Sequence, residues 1–146
     1  MRVRISKLVS SLLFLLLAAA SLVASPHAEA RKVDDTPPAF AGLKSATTCI
    51  PGPIGGGRTA SYNLAWDAAS DDFTPATRIV YLVYQATKPG GEDFAAATYT
   101  TPAGATTFTT PALPTNQQFY FVVRAKDRAG NVDANTVEHE GQNLCV

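Results

Sequence analysis

Short segments rich in Val, Ile, Thr, Tyr and Phe follow one another along most of the 146-residue chain, separated by clusters of Gly, Pro, Asp and Asn. β-branched and aromatic residues favour strands, whereas the residues of the clusters favour turns. No sustained helical period follows residue 30. The pattern predicts seven strands, at residues 39–48, 60–66, 78–86, 94–101, 106–110, 118–126 and 135–140. Such spacing is typical of an all-β, two-sheet sandwich of about 100 residues.

The alternation of side chains within these strands predicts the core. Phe121 and Val123 share one face of the sixth strand, because successive side chains of a strand point to opposite sides. Trp66 is the largest apolar side chain that two sheets could enclose between them. We expect the centre of the core to consist of Trp66, Tyr81, Val83, Phe121 and Val123.

Residues 1–30 have the three parts of a secretory signal peptide. Basic residues come first, an almost purely apolar run covers 8–23, and Ala28 and Ala30 flank Glu29 as at a cleavage site. We therefore expect export and cleavage, and a final location outside the cell or in the cell envelope. The alternative is an uncleaved membrane anchor, although the apolar run is shorter than the roughly 20 residues that span a bilayer.

Cleavage would leave a short leader at residues 31–36 and one domain at 37–146, with no stable membrane span. The chain carries 12 Lys and Arg against 12 Asp and Glu. No excess of positive charge is present to attract nucleic acid or an anionic membrane surface. We expect neither as a partner.

The two cysteines, Cys49 and Cys145, predict a disulfide, because the expected compartment is oxidising and each thiol has one possible intramolecular partner. Such a bridge would tie an early strand to the C-terminus and constrain the unfolded chain by roughly 4 to 5 kcal/mol. The alternative is unpaired or intermolecular thiols. A Cys/His metal site is disfavoured, because the exported part of the chain keeps only His139 and has no CxxC pair.

Three short motifs, in the order of the predicted strands, look like those of fibronectin type III domains. They are Leu64-x-Trp66, Tyr81-x-Val83, and Leu113-Pro114-Thr115 followed by Phe119-Tyr120-Phe121-Val122-Val123-Arg124-Ala125. Further segments resemble single modules of secreted bacterial proteins: Pro37-Pro38-x-Phe40-x-Gly42-Leu43, Asp71-Asp72-x-Thr74-Pro75 and Ala125-x-Asp127-x-Ala129-Gly130-Asn131. The resemblance spans residues 37–137. It implies a seven-stranded, immunoglobulin-like sandwich that works in spacing or adhesion at the cell surface.

The same resemblance makes the third and sixth strands neighbours, which defines a candidate binding surface. Five apolar side chains would then point outward from one sheet as a single patch: Val80, Leu82, Tyr84, Tyr120 and Val122. A contiguous apolar patch of several hundred Å² usually has a partner, and tyrosine rings also suit stacking on sugars. The alternative is that the leader, the Pro- and Gly-rich segment 51–57 or a self-contact covers the patch.

A run of oxygen-bearing side chains near the C-terminus is a weak calcium candidate: Asp127, Asn131, Asp133 and Asn135. The run lacks the twelve-residue loop with a closing bidentate Glu that calcium loops of the EF-hand type possess. Asn and Asp around Gly130 also make a good turn between two strands without any ion. No other cofactor is expected.

Residues for catalysis are sparse. His139 lies between two Glu residues, and the sequence contains no nucleophile motif that His139 could serve as a base. We therefore interpret His139 as a solvated residue. Asp67, Asp71 and Asp72 could supply the paired carboxylates of a glycosidase. However, they lie in the loop after Trp66, where Asp is expected as a residue that caps turns. We therefore expect a secreted, non-catalytic module that binds a protein or matrix partner. A carbohydrate-binding accessory protein is the first alternative, and a small hydrolase the second.

Overall fold

The computed structural model describes residues 32–49 and 58–144. The contacts within the chain separate a compact unit, Val33–Val146, from Met1–Lys32. The expected signal peptide and the start of the expected leader, Arg31, lie outside the described residues, so these predictions stay predictions. Within the described part of the chain, no helix has the length and apolarity to cross a bilayer.

Strands account for nearly all the regular structure of the described residues. They are β1 (Leu43–Thr48), β2 (Thr59–Ala60), β3 (Asn63–Trp66), β4 (Val80–Ala86), β5 (Tyr99–Thr100), β6 (Thr107–Thr109), β7 (Leu113–Pro114), β8 (Tyr120–Lys126), β9 (Glu138–Glu140) and β10 (Gln142–Asn143). One turn of 3₁₀ helix, Ala76–Arg78, precedes β4.

Two four-stranded sheets form the layers of the domain. The first has the order β10-β1-β3-β6 and the second the order β5-β4-β8-β9, while β2 and β7 form a separate two-stranded ladder. The pair β1–β10 is parallel, and the other described pairs are antiparallel. The predicted all-β sandwich is confirmed, and so is the pairing of the third and sixth predicted strands, now β4 and β8.

The core lies between the two sheets, and the five residues predicted at its centre are all buried. Trp66 of β3 and Tyr81 of β4 meet across the interior with ring centroids 5.2 Å apart. Phe121 of β8 packs on the ring of Tyr62 at 5.4 Å. Each such side chain contributes roughly 1.5 to 3 kcal/mol through burial, so this cluster stabilises the contact between the sheets.

The predicted strand 60–66 is divided in the structure. β2 pairs with β7, whereas β3 pairs with β1 and β6. Between them, Tyr62 and Thr110 exchange two hydrogen bonds of 2.9 Å, in which the Thr110 hydroxyl accepts one and the Tyr62 carbonyl the other. The chain thus passes from one ladder to the next at Tyr62.

Further differences concern the bounds and the number of strands. β1 begins at Leu43 instead of 39, β9 begins at Glu138 instead of 135, and the described residues contain ten strands where seven were predicted. The predicted strand 94–101 is reduced to β5, because the chain from 94 to 98 forms a turn beside β4 instead of pairing. β7 and β10 were not predicted, since two residues are too few to show an alternating pattern.

The parallel pairing of β1 and β10 bears on the expected disulfide. Thr48 lies opposite Asn143, and the N–H of Leu144 donates to the carbonyl of Thr48 at 2.9 Å. The residues that precede Cys49 and Cys145 are therefore neighbours. Cys145 itself lies outside the described residues, so the bridge stays a prediction.

Candidate functional site

The five residues of the predicted patch do lie on one face of the second sheet. In the register of β4 with β8, Leu82 pairs with Arg124, Tyr84 with Val122, and Ala86 with Tyr120. Directly paired residues of an antiparallel ladder share a face, and this face points away from the core residues Tyr81 and Val123. Arg124 and Lys126 lie on it as well, so the face is not purely apolar.

The expectation that this face is open to solvent is wrong for two of the five residues. Tyr84 is 3% exposed and Val122 is 1% exposed, while Val80, Leu82 and Tyr120 are half-buried. Phe94 packs edge-on against Tyr84 with ring centroids 5.1 Å apart. The guanidinium of Arg124 lies 3.6 Å from the centroid of the Phe94 ring. Phe94 and Arg124 thus cover the patch around Tyr84, whereas Val80, Leu82 and Tyr120 stay partly exposed.

The covering segment, residues 88–97, which we call the strap, is held near its start by β9, an edge strand of the second sheet. The N–H of Gly90 donates to Glu138 Oε2 at 2.6 Å. Glu92 lies beside the same carboxylate, and its Oε1 is sealed from solvent with no hydrogen-bond partner within residues 32–49 and 58–144. Burial raises the pKa of Glu92, and the charge of Glu138 raises it further.

The oxygens of the weak calcium candidate bind the chain's own N–H groups. Asp127 Oδ1 accepts from the N–H groups of Gly130 and Asn131, at 2.6 and 2.8 Å. Gly130 has φ of +103°, a conformation that favours glycine, so the predicted turn is present. Asp133 accepts from Ala125 N–H through Oδ2 and, at 2.9 Å, from Asn135 N–H through Oδ1.

Asn135 completes this network. Its side-chain amide donates to the carbonyl of Val123 at 3.0 Å, and its Oδ1 accepts from Val137 N–H at 3.1 Å. Arg124 Nε in turn donates to the Asn135 carbonyl at 2.9 Å. Asp133 and Asn135 therefore hold the connection between β8 and β9 in place, as the turn interpretation requires.

Asp127 also lies next to two carboxylates from distant parts of the sequence. One oxygen each of Asp34, Asp71 and Asp127 lie within 4.8 Å of one another. Asp34 comes from the segment before β1, Asp71 from the loop after β3, and Asp127 from the end of β8. We call these residues the acidic trio.

The other end of β8 opens into a cleft of about 670 Å³, which we call the amide groove. Carboxamide side chains dominate its lining, which consists of Tyr62, Thr115, Asn116, Gln117, Gln118, Glu140, Gly141, Gln142, Asn143 and Leu144. Gly141 allows the backbone to lie on the Tyr62 ring, because a Cβ there would be 2.4 Å from Tyr62 Cε1. The volume is in the range of small-ligand sites, about 300 to 1,000 Å³.

Of the residues considered for catalysis, Asp67 forms an ion pair, Asp71 caps a turn and His139 lies on β9. Asp67 is exposed and forms an ion pair of 3.1 Å with Lys44. Asp71 Oδ1 accepts from the N–H groups of Phe73 and Thr74, at 3.0 and 2.6 Å, which is the turn capping expected of it. His139 is half-buried on β9 opposite Phe121.

Comparison with known proteins settles the fold. No family model and no curated protein matches the sequence. Among solved structures, an Fn3-like protein from Clostridium thermocellum matches with a TM-score of 0.50 and 23% identity. The match covers 74% of this chain and 97% of that chain. The domain has a fibronectin type III-like fold.

Two features of this Fn3-like domain had no signal in the linear sequence. The amide groove forms where the residues before β8 meet those of β10, and neither segment carries a binding motif. The acidic trio depends on the leader folding back onto two loops. The available signal was indirect. Asp71 and Asp127 lie within segments that resemble the bacterial modules, and Asp34 lies just before such a segment.

Proposed function

We propose that this Fn3-like domain is an exported, non-catalytic binding module whose partner is a protein or matrix polymer outside the cell. The signal-peptide pattern of residues 1–30 supports export. The adjacency of the residues that precede Cys49 and Cys145 supports a disulfide, and hence an oxidising compartment.

The amide groove is the observation that carries the binding function. Clefts of this size with convergent polar groups are the usual place for a ligand. Two of its carboxamides have structural tasks, since Gln118 Nε2 donates to the Gly141 carbonyl at 2.9 Å and Gln117 Nε2 to that of Gln118 at 3.3 Å. Asn116 and Gln142 are exposed at the rim. Their amides offer both donors and acceptors to a partner.

A polysaccharide is the second candidate ligand, and the composition of the groove favours it. A carboxamide can donate and accept at once, which matches the paired hydroxyl groups of a sugar. Glu140 adds an acceptor, and the neutral amides impose no charge requirement on the ligand. A protein partner would use the same groups on its backbone amides.

The test is binding of the purified protein to a glycan array and to isolated extracellular matrix. We expect the double variant Asn116→Ala, Gln142→Ala to lose most of the binding. The control is Thr107→Ala, an exposed residue on β6 of the first sheet. Equal binding by wild type and double variant would contradict the assignment of the groove. Hits on glycans would favour the polysaccharide, and hits on protein components alone would favour a protein partner.

A further inference from the structure

The acidic trio brings three carboxylates together from three separate segments of the chain. One oxygen each of Asp34, Asp71 and Asp127 lie within 4.8 Å of one another. Asp127 is 4% exposed, so its charge is removed from solvent. Buried charges in proteins are paired, hydrogen-bonded or bound to a metal.

Asp71 has one oxygen that finds no partner in the part of the chain that the structure describes. Its Oδ1 accepts from the N–H groups of Phe73 and Thr74. Asp71 is half-buried as a residue, but its Oδ2 is sealed from solvent and has no hydrogen-bond partner among the described residues. A buried carboxylate oxygen without a donor is costly, and a cation among the three carboxylates would provide the partner it lacks.

The surrounding hydrogen bonds hold the trio in position before any ligand binds. The side-chain amide of Asn131 donates to Asp127 Oδ2 at 2.7 Å and to the carbonyl of Asp34 at 3.2 Å. The N–H of Arg128 donates to Thr74 Oγ1 at 3.3 Å, which ties the loop of Asp71 to the loop of Asp127. An oxygen that accepts one such bond still has a second lone pair available.

The negative charges of the trio also favour a bound cation. The three carboxylates each carry a negative charge, and one oxygen of each lies within 4.8 Å of the others. Like charges this close destabilise one another unless a proton or a cation joins them.

We propose that Asp34, Asp71 and Asp127 form a calcium site that fixes the segment before β1 to the loops after β3 and β8. Ca²⁺ takes six to eight oxygen ligands at about 2.3 to 2.6 Å, so ligand oxygens around one ion lie up to about 5 Å apart. The spacing of the trio meets this limit. Waters complete the coordination, and the flexible geometry of Ca²⁺ suits three ligands from three loops better than the strict octahedron of Mg²⁺ does.

The test uses the full chain, stripped of metal with a chelator. Calcium binding is measured by titration calorimetry, and Tb³⁺ luminescence serves as a second readout. We expect one ion per chain, a melting temperature that rises with added CaCl₂, and weaker binding of MgCl₂. Asp71→Asn keeps the shape of the side chain and should weaken calcium binding by roughly tenfold or more.

The control is Asp67→Asn, which removes one exposed carboxylate from the loop after β3 and should bind calcium as wild type does. Circular dichroism of each variant shows that it is folded. Absence of calcium binding to the folded wild type at millimolar CaCl₂ would overturn the proposal. Equal affinities of the two variants would overturn it as well, because binding would then reflect net charge alone.

Discussion

Phe94 packs edge-on against Tyr84, with ring centroids 5.1 Å apart, and so covers part of the outer face of the second sheet. The contact explains why Tyr84 is 3% exposed although it lies on the side of β4 that faces away from the core. Arg124 lies 3.6 Å from the centroid of the Phe94 ring on the same face. The strap is thus a third layer over part of the sandwich.

Removing the ring of Phe94 should open this face. We expect Phe94→Ala to lower the free energy of unfolding by about 1 to 3 kcal/mol, less than for a fully buried Phe, and to increase binding of a hydrophobic dye. The comparison is Phe73→Ala, at a ring that is 43% exposed, where a loss below about 1 kcal/mol is expected. Urea unfolding measures both. Equal losses would show that the strap does not stabilise the face.

The hydroxyl of Tyr81 has a structural role inside the core. It accepts a hydrogen bond of 2.7 Å from the N–H of Ala69, and both residues are buried. Tyr81→Phe would leave this N–H without a partner, at a cost of about 1 to 3 kcal/mol. Tyr99→Phe is the matched control, because its hydroxyl contacts Gln85 at 3.2 Å in a half-buried position. Denaturant unfolding should show a clearly smaller loss for the control.

The pair Glu92 and Glu138 should make stability depend on pH. Because the pKa of Glu92 is raised above 4.5, the folded protein holds its proton more tightly than the unfolded chain does. The resulting stabilisation is complete below pH 4.5 and is lost as the pH rises through the raised pKa. Urea unfolding between pH 4 and 8 should show this fall in wild type and a smaller one in Glu92→Gln. Glu140→Gln, at an exposed carboxylate, serves as the control; a slope unchanged in Glu92→Gln would refute the assignment.

Reduction should destabilise the domain strongly if Cys49 and Cys145 are joined. The bridge would close a loop of nearly 100 residues, worth about 4 to 5 kcal/mol in the chain-entropy model. Reducing agent should then lower the melting temperature by more than about 10 °C. The double variant Cys49→Ser, Cys145→Ser should melt at the lower temperature with or without reductant. An unchanged melting temperature of the reduced wild type would mean that the thiols are not joined.

Alternation along the strands was enough to predict the sandwich and the centre of its core. Tyr81 and Val83, or Phe121 and Val123, are two residues apart, so local sequence determines the face that they share. The pattern was not enough to say what lies over the opposite face. Phe94 sits in a Gly- and Ala-rich segment, and its packing on Tyr84 depends on how that segment turns after β4.

The acidic trio and the amide groove could not be predicted, because each joins segments that are distant in the sequence. The trio joins residues 34, 71 and 127, whose meeting depends on the tertiary path of three loops. The weak calcium candidate stays a prediction; it combined residues that are close in sequence, which local patterning can show. Asp133 and Asn135 bind local N–H groups, whereas Asp127 meets carboxylates from elsewhere.

The central claim is that two sheets enclose Trp66, and this residue offers the most direct test. It is the one Trp of the chain, it is 3% exposed, and its Nε1 donates to the carbonyl of Ala105 at 3.0 Å. Its fluorescence therefore reports on the core alone. We predict blue-shifted emission that resists iodide quenching in the native protein and becomes red-shifted and quenchable on cooperative unfolding in urea. Native emission at the wavelength of a fully hydrated indole, with quenching as strong as in the unfolded chain, would contradict the account.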